Sequence, residues 1–439
     1  MRLVTPFLCG ALALMPALAQ AQQSAPSDAA APAAPAATTP GEGEAAPATG
    51  ATTPVEAAAP APAAEAEAEG DPPPAVHFHG TLEGAYSYNF NEPSNGITAW
   101  RWYDTRHNMI GLQNALLSTE WNAGPVKGVV QLQLGAFTEQ FWTGERSPEE
   151  DLLWRLLQQV TAEWTTPLHR LSIEGGLFNV PFGPEYNTNY LNWNWSTSNL
   201  FALMPYQIAG FRANVDLGRG WTARGGVYNG WDQIVTDNNS GKSVMVSLEW
   251  ENPDDEETYF FFNYMVGNER GREDPRGPYA RHTFDVYAQW HAMERLFLRA
   301  HILSGIEPTR GDTLDGWFGA ALFAKVDILS WFSVAARGDV LRTFSGSSGQ
   351  NLFHADSLDD PTRSTLLGSG TLTLDFHPGS HVSLRLEARH DRADFPLFYS
   401  GNVPRVTPMD AMGNPTGAAY DAATESNQTT VTAGLTTWF

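Results

Sequence analysis

Hydrophobic and polar residues alternate in short runs along most of this chain. Phe78, Leu82, Tyr86 and Tyr88 alternate with His77, His79, Thr81, Glu83 and Ser87. Val126, Val130, Leu132 and Leu134 alternate with Lys127, Gln131 and Gln133, and Val244, Val246, Leu248 and Trp250 with Ser243, Ser247, Glu249 and Glu251. The same period of two recurs over Phe284–Trp290, Leu372–Phe376 and Val382–Ala388. A period of two sends successive side chains to opposite faces of a strand. No run of 18 apolar residues occurs, so no transmembrane helix is expected. Alternating segments of about ten residues are instead the pattern of a membrane β-barrel.

The connections alternate too. Short turns are expected at 122–125, 166–169, 218–220, 253–257, 292–294, 329–330 and 378–380. Longer links are expected at 91–107, 138–150, 179–205, 230–241, 268–280, 305–315, 343–363 and 393–425. This spacing predicts an all-β, antiparallel transmembrane barrel of about 16 strands over residues 75–439. Trp121, Trp164, Trp221, Trp250, Trp290, Phe332 and Phe376 lie beside short turns, and Phe439 falls at the same level. Amphipathic rings gather at a membrane–water interface, whereas a soluble sandwich has no reason to align them at one end of every strand.

The third long link stands apart. Residues 179–205 have neither a strand nor a helix period, yet hold Phe182, Tyr186, Tyr190, Trp193, Trp195 and Phe201 among six asparagines, with Glu185 as the only charge. A loop this long within a compact unit is usually functional or disordered, and its aromatic load argues against disorder. Six rings on a water-facing loop would form an exposed apolar patch, so the loop is expected to fold against the inner wall. Even half-burying such rings favours that state by several kcal/mol at ~25 cal/mol per Å².

The opening residues read differently. Arg2, the apolar stretch Leu3–Ala17 and the small-residue sites at Ala19 or Ala21 predict a signal peptide over 1–21. Residues 22–74 are rich in Ala, Pro, Thr and Glu, with eight acidic residues and no Lys or Arg, and are expected to form a disordered periplasmic linker. At ~3.1 Å per residue it would reach about 150 Å, toward the cell wall or a partner, or serve as a plain spacer. The formal charge of −23 divides into +1 at Arg2, −8 in the linker and −16 over residues 75–439. That balance argues against nucleic acid as a partner. Cys9, the only cysteine, falls in the signal peptide, which excludes disulfides and thiolate chemistry from the rest.

A resemblance follows from particular residues. The opening strand with Gly84, Tyr86, Tyr88, Asn89 and Phe90, the run Gly175-Gly176-Leu177-Phe178-Asn179-Val180-Pro181-Phe182-Gly183-Pro184-Glu185, and Gly226-Val227-Tyr228-Asn229-Gly230 resemble the OmpL-like β-barrel porins. The Phe-x-x-Pro-x-Gly region is also similar to phosphate-selective porins. The resemblance implies an outer-membrane porin whose third long loop enters the lumen. It also implies that Phe439, in register with Val431 and Leu435, is the signal read by the barrel-insertion machinery. The linker has no counterpart in the resemblance.

Candidate chemistry is sparse. No HExxH, GxSxG, phosphate-binding glycine loop or dinucleotide fingerprint is present, so no catalysis and no cofactor is expected. His77 and His79 share a strand face, and polar lumen lining is preferred over a metal site. The inward face of the barrel carries Arg155, Glu174, Arg299, Arg337, Asp339, Arg385, Glu387 and Arg389. Basic groups there would cost ~2–4 kcal/mol each if they faced lipid, so a watery lumen is expected. They either set selectivity or rigidify the wall in pairs. The constriction is expected from Glu185, Tyr186, Tyr190, Trp193 and Trp195 against Arg212 and Arg224. The partners expected are outer-membrane lipid and small polar solutes such as sugars, with a homotrimer by analogy. A phosphate-type anion channel and an anchoring barrel with the linker as its working end remain as alternatives.

Overall fold

A computed structural model describes residues 74–141, 156–234, 237–311, 314–344, 364–407, 409, 415 and 419–439. The expected signal peptide, nearly all of the linker and Arg155 lie outside the described residues. Sixteen strands close into one antiparallel barrel. They are β1 (Ala75–Asn89), β2 (Met109–Ala123), β3 (Val126–Leu134), β4 (Leu157–Thr165), β5 (Leu171–Asn179), β6 (Gln207–Gly218), β7 (Trp221–Tyr228) and β8 (Ser243–Asn252). The second half comprises β9 (Asp255–Gly267), β10 (Arg281–Met293), β11 (Leu296–Pro308), β12 (Leu314–Leu329), β13 (Phe332–Phe344), β14 (Leu366–Gly379), β15 (Val382–Ala393) and β16 (Asn427–Trp438). A two-residue ribbon, Arg405–Val406 with Tyr420–Asp421, decorates the last long loop. One short helix, α1 (Ala136–Phe141), follows β3.

Each strand pairs with its sequence neighbour, and β1 closes the barrel on β16 with Gly84 opposite Leu435 and Tyr88 opposite Val431. Phe439 completes the seam: its N–H donates to the Gly80 carbonyl at 3.0 Å, and Gly80 N–H donates back at 3.1 Å. The Phe439 ring covers Gly80, where a Cβ would lie 2.2 Å from the ring, so a larger residue there would displace the ring. Alternation fixes the two faces. Phe78, Leu82 and Tyr86 are exposed outside while Thr81, Glu83 and Ser87 are buried inside; Leu384 and Leu386 are exposed against buried Ser383, Arg385 and Glu387.

Two expectations are corrected. The link expected at 305–315 is shorter, because β11 continues to Pro308: Ile306 still faces out, and Glu307 faces in, where Arg281 and Arg270 hold it at 3.2 and 3.4 Å. The lumen is also not polar throughout. Toward the long-loop ends of the strands, inward Phe178, Met245, Met265, Leu303, Trp317, Leu341 and Leu367 are buried in one apolar cluster. Trp102, Phe201, Met204, Tyr206 and Phe398, from loops folded into the mouth, complete it. Burial between wall and loops replaces water there, so apolar inward residues are favoured.

Candidate functional site

Residues 180–206 enter the barrel from the long-loop end and are mostly buried. Two short 3-10 turns, Asn189–Leu191 and Asn199–Leu203, give the segment its only regular structure, so its backbone groups need partners from the wall. They find them on many strands. Near the entry, Asn263 donates to the Pro181 carbonyl at 2.6 Å, Gly183 N–H donates to Asp285 at 3.1 Å and Arg299 donates to the Pro184 carbonyl at 2.8 Å. Farther on, Asn189 N–H donates to Glu83 at 2.6 Å and Arg385 donates to the Asn189 carbonyl at 2.6 Å. Glu387 accepts from the N–H groups of Trp195 at 2.5 Å and Ser196 at 2.9 Å, and from the Thr373 hydroxyl at 2.7 Å. Asn199 donates to Asp339 at 2.7 Å, and Arg389 donates to the Thr197 carbonyl at 2.5 Å. The segment is thus strapped to walls as far apart as β1, β9 and β15.

Its rings are seated as specifically. Trp195 is fully buried over Gly434, where a Cβ would lie 2.3 Å from the indole. Tyr190 stacks on Trp438 with centroids 5.4 Å apart. The Arg299 guanidinium lies 4.1 Å from the centre of the Trp193 ring, a cation–π contact. The Tyr186 carbonyl accepts from Tyr103 at 2.6 Å. Burial raises the Tyr186 phenol and pushes that of Tyr190 up to about 12, so both hydroxyls stay protonated.

Arg337, Arg385 and Arg389 sit in buried ion pairs. Arg337 meets Glu185 at 3.3 Å and Asp339 at 3.4 Å, Arg385 meets Asp375 at 2.8 Å and Arg389 meets Asp391 at 2.7 Å. Arg212 and Arg224 were expected opposite Glu185. Instead Arg212 pairs with Glu174 at 2.7 Å and Arg224 with Glu249 at 3.1 Å, while Glu185 also binds Ser198 N–H at 2.8 Å. The reason is register: Arg212 lies directly across the ladder from Glu174. Removing one partner of such a pair would cost ~3–5 kcal/mol, since the other charge stays buried.

Toward the short-turn end the lumen opens into a cavity of about 650 Å³. Its walls include His77, Glu120, Lys127, Glu163, Arg170, Glu174, Arg212, Asp216, Arg224 and Glu251. A second space of about 50 Å³ lies beside the strapped loop, among Gln158, Asn179, Phe182, Glu185, Met204 and Tyr206. His77 faces Glu120 across the ladder, but among the described residues no three His, Cys, Asp or Glu side chains are placed to hold a metal. Asp285 is an inward charge as its strand pattern implies, whereas Glu83, Thr373 and Gly434, which also grip the loop, were given no role in the sequence. Nothing local marks them, because each looks like any other inward strand position.

Known proteins fit this architecture. The anion-selective porin from Comamonas acidovorans is 11% identical and superposes with a TM-score of 0.51 over 83% of this chain and 100% of its own. The outer-membrane channel DcaP of Acinetobacter baumannii is 10% identical, with a TM-score of 0.50 over 84% and 98%. Outer-membrane expressed OmpT of Vibrio cholerae is 6% identical, with a TM-score of 0.51 over 85% and 100%. At these identities the likeness is one of fold. Among curated proteins, none matches this chain by sequence. The family described as "putative beta-barrel porin-2, OmpL-like" matches residues 75–437, which is the whole barrel bar its last two residues. The chain therefore belongs to the OmpL-like family of outer-membrane β-barrel porins.

Proposed function

We propose that this barrel is a passive diffusion channel for small hydrophilic solutes, without catalysis, narrowed by residues 180–206. The observation that carries the reading is a 27-residue segment that crosses the lumen and is hydrogen-bonded to Glu83 on one side and Asp285, Asp339 and Glu387 on others. A segment so tied leaves passage only beside it. With Arg212, Arg337 and Arg389 neutralised by carboxylates and Arg299 engaged by the Pro184 carbonyl and the Trp193 ring, amides and ring faces dominate what a solute meets, which favours uncharged solutes such as sugars. In this reading Glu185, Tyr186, Tyr190, Trp193 and Trp195 define the narrowing, and Arg212 and Arg224 belong to the vestibule below. Residues 1–21 export the chain, and residues 22–74 link the barrel to the periplasm. OmpT of Vibrio cholerae has a trimer form, and we extend a homotrimer to this chain on that likeness.

Liposome swelling with sugars and amino acids tests the function. The wild type should pass small sugars, and Trp193→Ala/Trp195→Ala should widen the size cutoff. An unchanged cutoff and solute ranking would remove this segment from the selectivity. A wild type that passes neither solutes nor ions would favour the anchoring alternative.

A further inference from the structure

The lumen is divided lengthwise. From β8 to β14, the inward residues on the long-loop half include Met245, Met265, Leu303, Leu341 and Leu367, all packed in the apolar cluster. From β2 to β5 the inward residues of that half are mostly amides, Asn114, Gln131, Gln133, Gln158, Gln159 and Asn179, with Phe178 as the apolar exception. Both cavities touch this amide sector. The larger one reaches up to Val129 on β3 and Thr161 on β4, and the smaller one begins at Gln158 and Asn179. Gln131 and Gln159 lie between, each one inward position above Val129 or Thr161, and the register sets them directly opposite each other.

A local irregularity builds the junction. The β3–β4 ladder pairs Gln131 with Gln159 but Leu132 with Leu157, so Gln158 is an extra residue. This bulge turns both Gln158 and Gln159 to the buried side. Asn179 ties them together. Its amide N–H groups donate to Gln159 at 2.9 Å and Gln131 at 3.3 Å, and its oxygen accepts from Gln158 at 2.6 Å. Among the described residues, the Gln159 Nε2 has no hydrogen-bond partner although the residue is fully buried, and the side-chain oxygens of Gln133 on β3 and Gln113 on β2 are likewise unpartnered. An unmet buried amide is costly, and a solute hydroxyl would satisfy it.

Resting on the porin reading, we propose that Gln131, Gln159 and Asn179 close an off-centre solute path along the β3–β5 wall, and that this junction admits neutral polyhydroxylated solutes, sugars or polyols. The trio carries no charge. Each amide both donates and accepts, so its internal bonds exchange for solute hydroxyl bonds without desolvating an ion. Passage along the opposite wall would require unpacking Leu303, Leu341 and Leu367, each at most 1% exposed.

The test uses the full-length barrel with Cys9→Ser, the sole native cysteine replaced, and single cysteines at Thr161, Gln131, Ala321 or Leu341. Heat-modifiable gel mobility identifies folded protein. A cationic methanethiosulfonate should modify Thr161→Cys and Gln131→Cys and reduce conductance several-fold. Ala321→Cys and Leu341→Cys should stay unmodified and conduct normally. Block at Ala321→Cys or Leu341→Cys with none at Gln131→Cys overturns the amide route while leaving a porin. A wild type without any conductance refutes the porin reading itself. The solute class is read with Gln159→Leu, which should slow sugar-driven swelling several-fold more than it lowers KCl conductance. Equal loss of both overturns the class.

Discussion

Glu387→Gln is the sharpest probe of the loop inside the barrel. The wild-type carboxylate accepts three hydrogen bonds, from Trp195 N–H at 2.5 Å, Ser196 N–H at 2.9 Å and the Thr373 hydroxyl at 2.7 Å. The Trp195 bond uses one oxygen and the Ser196 bond the other. Glutamine keeps the shape but has one accepting oxygen, so one backbone N–H must face an amide NH₂. A buried donor left unmet costs ~1–3 kcal/mol, and the surviving bonds lose their charge assistance. A loss of about 2 kcal/mol multiplies the ratio of unseated to seated loop about 30-fold. Trp195 should leave its place over Gly434 correspondingly more often. Single-channel recording in planar bilayers should show frequent excursions to higher conductance, and indole fluorescence should shift to the red. A variant that folds normally, with wild-type conductance, noise and emission, would show that these bonds do not hold the loop, and the narrowing would have to be assigned elsewhere.

Other expectations are more direct. Phe439→Asp should fail to accumulate in the outer membrane, because a charge replaces the ring over Gly80 at the closing seam; normal yield of folded barrel would refute this. Deleting residues 22–70 should leave channel conductance unchanged in bilayers, and a lost channel would move the barrel boundary upstream. Gly434→Val should displace Trp195 sterically and reproduce the fluorescence shift of Glu387→Gln without touching a charge. In the loop after β9, the Arg276 guanidinium hydrogen-bonds Asp274 and holds its carboxyl below the usual range. A depressed acid stabilises above its unfolded pKa and loses that contribution as pH falls through the folded one. Amide-exchange protection around Gly271 and Gly277 should therefore persist to about pH 4 and fall below it, and Asp274→Asn should flatten the profile.

The barrel itself was legible in the sequence. A period of two reports which residues share a face, and alternation of short turns with long links counts the strands; both are local, so residues such as Leu384, Arg385, Leu386 and Glu387 disclose lipid side and lumen side without a partner in view. The aromatic weight of residues 179–205 likewise announced a segment that must be covered. Part of what was missed left a local trace: Val244-Met245-Val246, Ile302-Leu303, Val340-Leu341 and Leu366-Leu367 are doubled apolar positions, the mark of strand ends covered on both faces. What covers them is not local. That Glu387 grips Trp195, that Arg212 answers Glu174 rather than Glu185, and that Gln131 meets Gln159 and Asn179 depend on which strands closure brings side by side and how far the loop descends between them. Inward positions look alike along one strand. Only the closed barrel, by fixing register and the distance across the lumen, decided which of them touch.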